Sequence, residues 1–221
     1  VAATIYAGAG VDRYLASLAA YPAWQPEHRF WGARQGEDLV GYAHGRALPD
    51  SWHLNNIAVL PACQGQGVGR RLWQRFAQGA RRRGYRRLTL DVESGNQTAI
   101  DWYRREGMAV TGAVWRYEKI LPPARSGTPR SLYLTGWEQA EAWQAAYGFS
   151  QFQIHWQDRI WTLGRIGERY FRSTAPLPTA IEAALARIDP LRRLLIFSDE
   201  PLTDSEVSIA GKSLRMGGDA P

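Results

Sequence analysis

Three glycines lie within the six residues Gln64–Gly69, which read Gln-Gly-Gln-Gly-Val-Gly. This run separates a strand-like apolar segment, Ile57–Leu60, from helically spaced apolar residues that begin at Val68. A glycine loop at a helix start exposes backbone N–H groups at the positive end of the helix dipole. Arg70 and Arg71 come next, where cations are unfavourable unless a negative group compensates them. The pattern therefore predicts an anion site.

The spacing of the loop excludes two common kinds of phosphate site. The segment lacks the Lys-Ser/Thr pair that ends a nucleotide P-loop. It also has one residue too few between its last glycines for a dinucleotide fingerprint. Neither a P-loop nor a dinucleotide fold is therefore expected.

On these residues the sequence resembles the GNAT superfamily of N-acetyltransferases. The pyrophosphate-binding signature of that family, Gln/Arg-x-x-Gly-x-Gly/Ala, is matched by Gln64, Gly67 and Gly69. Downstream, Asn96 is followed by a helix-like segment that carries Tyr103, and this resembles the second motif of the family. The resemblance covers roughly residues 1–121.

The resemblance implies an acyl-coenzyme A binder whose two central strands splay apart. Main-chain groups of Ile57, Ala58 and Val59 would then line the thioester arm, and the amides from Gln64 to Arg70 would hold the pyrophosphate. Glycine would be needed at positions 67 and 69 because a side chain there would block the approach of the ligand. The implied residues for acetyl-CoA are Ile57, Ala58, Val59, Gln64, Gly65, Gln66, Gly67, Val68, Gly69, Arg70, Asn96 and Tyr103. No metal is expected, since the histidines lack ligand spacing.

Acetylation of an amine requires a neutral nitrogen nucleophile and a proton for the leaving thiolate. Deprotonating an alkylamine at pH 7 costs about 4 to 5 kcal/mol, so a base or a water chain to one is expected. By resemblance, Tyr103 lies where many family members have a general acid, and Asn96 would support it by hydrogen bonding. The alternative for Tyr103 is packing in the core.

The sequence indicates the general base that would deprotonate the amine less clearly than the general acid. Many relatives have a carboxylate on the strand before the glycines, where this chain has Asn55 and Asn56. His53 lies two residues before Asn55 and would share its strand face; the alternative is a partly exposed strand histidine. Glu93 and His44 are further candidates that would act through water, as would a fully water-mediated route. Cys63 is interpreted as a small filler residue.

The favoured function is an acetyl-CoA-dependent N-acetyltransferase that acetylates a primary amine by direct attack through a tetrahedral intermediate. A non-catalytic acyl-CoA sensor or partner-binding module is the alternative, because the strand carboxylate is missing. Nucleic-acid binding is unlikely, since we interpret most of the arginine cluster as the solvated face of a helix. That cluster comprises Arg75, Arg81, Arg82, Arg86 and Arg87.

Composition restricts the cellular setting. The 221 residues are 45% hydrophobic, which is ordinary for a globular protein, and no apolar run approaches the length of a membrane span. A single cysteine and no export signal favour a cytoplasmic protein. The net charge of +6 lies wholly in residues 1–121, with 16 basic and 10 acidic residues. A homodimer is possible.

The first part of the chain must position these residues. The order of predicted elements in residues 1–121 is helix, three strands, helix, strand, helix, strand, with Val110–Leu121 as one strand or a pair. This order and the resemblance predict an α/β fold with a mixed, mainly antiparallel sheet flanked by helices. A proline-rich linker over Leu121–Arg130 ends this domain.

Residues 131–214 are expected to form a C-terminal α+β domain of βαββαβ order. Its strands would include Phe152–Gln157 and a single strand within Arg159–Phe171, and Thr179 and Glu182 have the spacing of a capping box. No internal repeat is evident, and residues 215–221 are expected to be a loose tail.

Overall fold

A computed structural model describes residues 10–123 and 131–220. The helices are α1 (Val11–Ala20), α2 (Val68–Arg82), α3 (Gln97–Arg105), α4 (Trp137–Tyr147) and α5 (Thr179–Ile188). The strands are β1 (His28–Gln35), β2 (Asp38–Ala47), β3 (Trp52–Val59), β4 (Arg87–Glu93), β5 (Ala109–Lys119), β6 (Tyr133–Thr135), β7 (Phe149–Trp156), β8 (Arg159–Ile166), β9 (Tyr170–Ser173), β10 (Arg193–Ser198) and β11 (Val207–Asp219).

Contacts divide the chain into two compact units. The first, called here the glycine-loop unit, comprises Ala16–Ala113 and Ser213–Pro221, and the second unit comprises Val1–Leu15 and Val114–Lys212. The domains expected at 1–121 and 131–214 stay a prediction. The division by contacts differs from them in two ways: it assigns residues 1–15 and 114–121 to the second unit, and it assigns the last residues of the chain to the first.

In the glycine-loop unit, β1, β2 and β3 form an antiparallel meander, and β4 runs parallel to β3. The last part of β11 pairs antiparallel with β4. The mixed, mainly antiparallel sheet expected from the sequence is thereby confirmed.

The core of this unit lies between the sheet and two helices. The apolar residues of α2, spaced three and four apart, are buried against strand residues such as Trp52 and Leu90. Ile100 and Tyr103 of α3 belong to the same core. Both helices therefore cover one face of the sheet.

The C-terminal residues are ordered rather than a loose tail, so that expectation is wrong. Residues Ser213–Asp219 of β11 pair with Arg87–Glu93. The two adjacent glycines Gly217 and Gly218 fit here because a Cβ atom at Gly218 would lie 2.8 Å from the carbonyl oxygen of Gly107. Pro221 lies outside the described residues.

The second unit is built on another meander, β7–β8–β9, which is followed by α5 and the parallel strand β10. The single strand expected over Arg159–Phe171 is in fact two, because the chain turns at Gly167, whose φ is 54°. The capping box expected from Thr179 to Glu182 is absent, since Pro178 caps α5. The predicted linker falls largely on residues 124–130, which lie outside the described residues.

The two units share an order of elements that the sequence does not reveal. In each, a helix precedes three antiparallel strands, and a second helix leads to a strand parallel to the third. The matching crossovers are β3–α2–β4 and β9–α5–β10. Sequence comparison of the halves misses this repeat because it lies in hydrogen-bonding topology rather than in residue identity.

Candidate functional site

The glycine loop forms the start of α2. A 3-10 turn at Pro61–Cys63 follows β3, and Gly65 and Gly67 take left-handed conformations with φ of 74° and 77°. Gly67 is the N-cap of α2 and has no side chain to accept from the first turn. The N–H groups of that turn therefore stay available to an anion.

The loop leaves open space where side chains would otherwise lie. A Cβ atom at Gly65 would meet no atom within 4 Å, and one at Gly69 would come only to 3.8 Å from Cγ2 of Val59. Packing within the protein thus tolerates a side chain at Gly69. Packing within the protein therefore does not account for glycine at this position.

The two central strands separate beside this loop. Parallel pairing of β3 with β4 covers only Trp52, His53 and Leu54 on the β3 side, although β3 continues to Val59 and stays paired with β2. The register with β2 shifts at Asn55, which is left as an extra residue in a β-bulge. A bulge bends its strand, and this accounts for the departure of β3 from β4.

The main chain of Ile57, Ala58 and Val59 has no partner in β4. The assignment of the thioester arm to these residues stays a prediction. Two loop side chains hydrogen-bond locally. Nε2 of Gln64 donates to the carbonyl oxygen of Val59 at 3.0 Å, and Nε2 of Gln66 donates to that of Ala62 at 3.0 Å. The side chain of Gln64, the first residue of the motif, therefore stabilises the loop itself.

The charge argument for Arg70 needs correction. Nε of Arg70 lies 3.6 Å from Oε1 of Glu106, so a carboxylate of the protein already compensates this cation. Arg71 forms no ion pair with the residues that the structure describes. The Arg70–Glu106 pair joins the first turn of α2 to the end of α3, three residues beyond Tyr103.

Tyr103 is buried in the core of the glycine-loop unit. Its ring lies 5.8 Å from the ring of Trp73 in α2 and 4.8 Å from that of Trp102. Burial raises the pKa of the Tyr103 phenol. The side chain therefore carries its proton at neutral pH, while it also packs in the core as the alternative interpretation held.

Asn96 opens the helix that carries Tyr103, as the sequence predicts. It is the N-cap of α3, and its Oδ1 accepts a hydrogen bond from the N–H of Ala99 at 3.1 Å. Asn96 thereby fixes the start of the helix that carries Tyr103.

His53 is buried, not partly exposed, and its Nδ1 lies 3.1 Å from Oγ1 of Thr89. Burial lowers the pKa of His53 to about 4; nearby Asp91 opposes that shift and nearby arginines add to it. The bulge at Asn55 interrupts the strict alternation that put His53 and Asn55 on one face. Glu93, at the end of β4, accepts a hydrogen bond from Oγ of Ser213 at 3.3 Å.

A pair of histidines, His28 and His44, adjoins the bulge. Nε2 of His44 lies 2.9 Å from Nδ1 of His28, and the His44 ring stacks on Phe30 at 4.2 Å. Nδ2 of Asn55 lies 3.4 and 3.5 Å from the two ring nitrogens of His44, which places the amide over the ring face. Glu27 lies 3.9 Å from Nε2 of His28. The pair therefore connects the bulge with a surface carboxylate.

The sequence pointed to His44 but missed His28. The hairpin register pairs Phe30 with His44 and His28 with Arg46, so the two histidines are diagonal neighbours on one face. Counting back from the Gln35–Asp38 turn would have placed Arg29 opposite His44, because the register shift between Ala33 and Arg34 is not visible in the sequence. Burial lowers the pKa of His44 to about 3, and the neighbouring His28 and Arg46 add to this shift.

The remaining sequence candidates lie apart from this chemistry. Cys63 is buried in the core, as a filler residue would be. The arginine cluster is exposed, as expected for the wet side of a helix. In residues 10–123 and 131–220, no three metal-ligating side chains meet and no helix has the length and apolarity to cross a membrane.

Comparison with known proteins gives one family. The model of the acetyltransferase (GNAT) family matches residues 4–108. The N-alpha-acetyltransferase RimI of Mycobacterium tuberculosis is 36% identical over 102 residues, which are 43% of this chain and 61% of the relative. The IAA acetyltransferase of Azospirillum brasilense is 31% identical over 122 residues, which are 48% of this chain and 77% of the relative. The chain thus spans less than two thirds of the first relative.

One solved structure resembles both halves of the chain. It is a tandem GNAT protein from the clavulanic acid biosynthesis pathway, with a TM-score of 0.60 over 89% of this chain and 84% of that chain. At 14% identity the likeness concerns the fold alone.

Proposed function

The chain belongs to the acetyltransferase (GNAT) family, and we propose that it transfers an acetyl group from acetyl-CoA to a primary amine by direct attack. The observation that carries this proposal is the open stretch of β3 beside a glycine-capped helix. One element has a main chain that β4 does not pair, and the other has first-turn N–H groups without a capping side chain.

The described residues fit the donor. The amides from Gln64 to Arg70 would hold the pyrophosphate at the N-terminus of α2. The main chain of Ile57–Val59 would pair with the pantetheine arm, because β4 does not occupy that side. Space at Gly65 and Gly69 lets the phosphates approach the backbone.

In the proposed reaction the amine nitrogen attacks the thioester carbonyl carbon and forms a C–N bond. A backbone N–H of the bulged part of β3 would stabilise the oxyanion of the tetrahedral intermediate. The C–S bond then breaks, and the sulfur takes the phenolic proton of Tyr103. Burial keeps that proton on the phenol until the sulfur becomes negative.

The attacking nitrogen must also lose a proton. We assign its exit to His44 and His28. A proton taken at Nδ1 of His44 is matched by transfer of the Nε2 proton to Nδ1 of His28, across 2.9 Å. The proton then leaves His28 towards Glu27 and solvent. A water molecule would connect the amine with His44, as the sequence interpretation of that residue supposed.

This relay is preferred to the other candidates. The Nδ1 of His53 is engaged with Thr89. Nε2 of His44 instead lies 2.9 Å from Nδ1 of His28, which can take the proton on. Glu93 stays a candidate that acts through water.

The test is acetyl-CoA-dependent thiol release with three acceptor classes: peptides with a free N-terminal amine, peptides with an internal lysine, and small primary amines. We expect turnover with one class. Tyr103→Phe should lower kcat about 100-fold with little change in KM for acetyl-CoA, because it removes a proton donor and leaves the fold intact.

Tyr117→Phe is the matched control, since the Tyr117 hydroxyl in the second unit serves only to accept from the N–H of Leu202. Its kcat should stay within about twofold of the parent value. Binding of acetyl-CoA without turnover on any acceptor would instead support the sensor alternative. Absence of binding would overturn both.

A further inference from the structure

A groove in the glycine-loop unit runs between α2 and β1 and is strongly basic. Its lining includes five arginines and no acidic residue: Arg34, Arg71, Arg75, Arg82 and Arg83. The proposed acetyl transfer uses none of these side chains. The groove is therefore a feature that the reaction leaves unexplained.

The positive charge of the groove has little compensation. Helix α2 contains five arginines and no acidic residue. Only Arg70 of these forms an ion pair within the described residues, and it lies outside the groove. Burial lowers the pKa of Arg83, and the nearby Arg29 adds to that shift. Like charges at this density repel one another, which favours an anionic partner.

One wall of the groove is a stripe along α2. Arg71, Arg75 and Arg82 are four and seven residues apart, so they lie on one face of the helix. Arg71 and Arg75 are separated by about 6 Å along the helix axis. This is close to the repeat of about 6.7 Å between same-side residues of an extended chain.

The other wall is the segment Trp31–Gln35 of β1. In the described part of the chain, β1 pairs with β2 on one side and with no strand on the other. The unpaired side of an edge strand presents N–H and C=O groups that can accept an added strand. Gln66 of the glycine loop and Gln78 of α2 add amide groups to the lining.

We propose that this groove binds an extended, acidic polypeptide segment of a partner protein. The edge of β1 pairs with the main chain of the segment, and alternate Asp or Glu side chains pair with the arginine stripe. A nucleic acid would satisfy the arginines but would gain nothing from the strand edge. The binding is independent of acetyl transfer.

The probe is a fluorescein-labelled decapeptide of alternating Glu and Thr, and its binding is measured by fluorescence anisotropy at low salt. The double variant Arg75→Gln/Arg82→Gln should weaken binding at least about tenfold, because it removes two charge-assisted contacts. Arg86→Gln/Arg105→Gln removes the same net charge from exposed positions outside the groove. That control should bind within about twofold of the parent protein.

A second probe tests the strand edge. A decapeptide of alternating Glu and Pro has the same charge but lacks half of the N–H groups, so it should bind at least about fivefold more weakly. Equal binding of the two peptides, or equal loss in both double variants, would overturn the proposal. So would tighter binding of a ten-nucleotide oligothymidylate through Arg75 and Arg82, which would assign the groove to nucleic acid.

Discussion

The two units use the same crossover for different ends. In the glycine-loop unit, β3 leads through a glycine loop into α2 and then into the parallel strand β4. In the second unit, β9 leads through a loop that contains two prolines, Pro176 and Pro178, into α5 and then into the parallel strand β10. We call the first crossover open, because part of β3 has no partner in β4, and the second closed, because β9 pairs with β10 along its whole length.

Strand pairing accounts for part of the difference. Only three of the eight residues of β3 pair with β4, whereas all four residues of β9 pair with β10. A ligand can add to the unpaired part of β3. The edge of β9 that would correspond to it is already filled by β10.

The first turns of the two helices differ in charge. Arg70 and Arg71 lie in the first turn of α2. In the first turn of α5 the buried carboxylate of Glu182 lies 3.0 Å from Nζ of Lys119. Arg71 leaves a positive charge at the first arrangement, which attracts a phosphate, whereas Glu182 and Lys119 neutralise each other in the second. The shared topology therefore carries no binding function by itself; the loop residues and the interrupted register do.

The largest expected effect tests the closed crossover. Glu182→Ala should lower the free energy of unfolding by about 3 kcal/mol, because it removes a buried ion-pair partner and the packing of its side chain, although Glu206 stays 3.1 Å from Nζ of Lys119. The affinity for acetyl-CoA should not change, because α5 takes no part in the site. Denaturant unfolding and calorimetric titration with acetyl-CoA measure the two quantities.

Glu182→Gln is the control, since it keeps the size of the side chain and one hydrogen bond. It should lose less stability than the alanine variant. A large loss of acetyl-CoA affinity in either variant would contradict the assignment of the second crossover to structure alone.

The next effect tests the open crossover. Gly69→Glu places a carboxylate in the first turn of α2, where the helix dipole favours it and a Cβ meets only Val59 at 3.8 Å. The free energy of unfolding should therefore stay the same or rise. The Kd for acetyl-CoA should increase at least about 100-fold, since the carboxylate occupies the place of the pyrophosphate.

Gln78→Glu adds the same charge to an exposed position of α2 and should leave the Kd for acetyl-CoA within about threefold. The parent protein should bind one acetyl-CoA per chain, and Gly69→Glu should abolish that binding without revealing a second site. Residual binding of equal stoichiometry would mean that the second crossover also takes the ligand.

The sequence predicts the open crossover well because its features are local. The glycine loop, α2 and α3 follow from residues next to one another in the chain. The family motif then indicates the splay. Its cause, the extra residue at Asn55, needs the pairing of β2 with β3 and is invisible in either strand alone.

The features that the sequence missed depend on distant parts of the chain. The C-terminal residues 215–219 look like a tail because their strand partner, β4, precedes them by more than 100 residues. Glu182 of α5 has capping-box spacing, but its carboxylate forms an ion pair with Lys119 of β5. Arg70 looks uncompensated until α3 brings Glu106 to it. In each case a long-range partner replaces the local one.

The smallest expected effect is a difference between the two units in how their stability depends on pH. Burial lowers the pKa of His44 to about 3 and that of His53 to about 4, below the ordinary value of 6.5. Above pH 6.5 these imidazoles are neutral in both the folded and the unfolded chain, so their protonation does not reduce the free energy of unfolding. As pH falls below 6.5 the unfolded chain binds protons that the folded chain refuses, so stability is lost. At pH 5.5 the loss should be roughly 1 kcal/mol for each histidine.

Three of the four histidines lie in the glycine-loop unit, and His155 is the only one in the second. Hydrogen exchange, corrected for intrinsic rates, should therefore show a larger loss of protection in β2 and β3 than in β7 and β8 between pH 7 and 5.5. The double variant His44→Asn/His53→Gln removes both titrating groups and should flatten that difference. If β7 and β8 lost protection equally in the parent protein, or if the double variant kept the full pH dependence, the buried histidines would not be its source. The contrast between the units would then rest on the loop and the strand register alone.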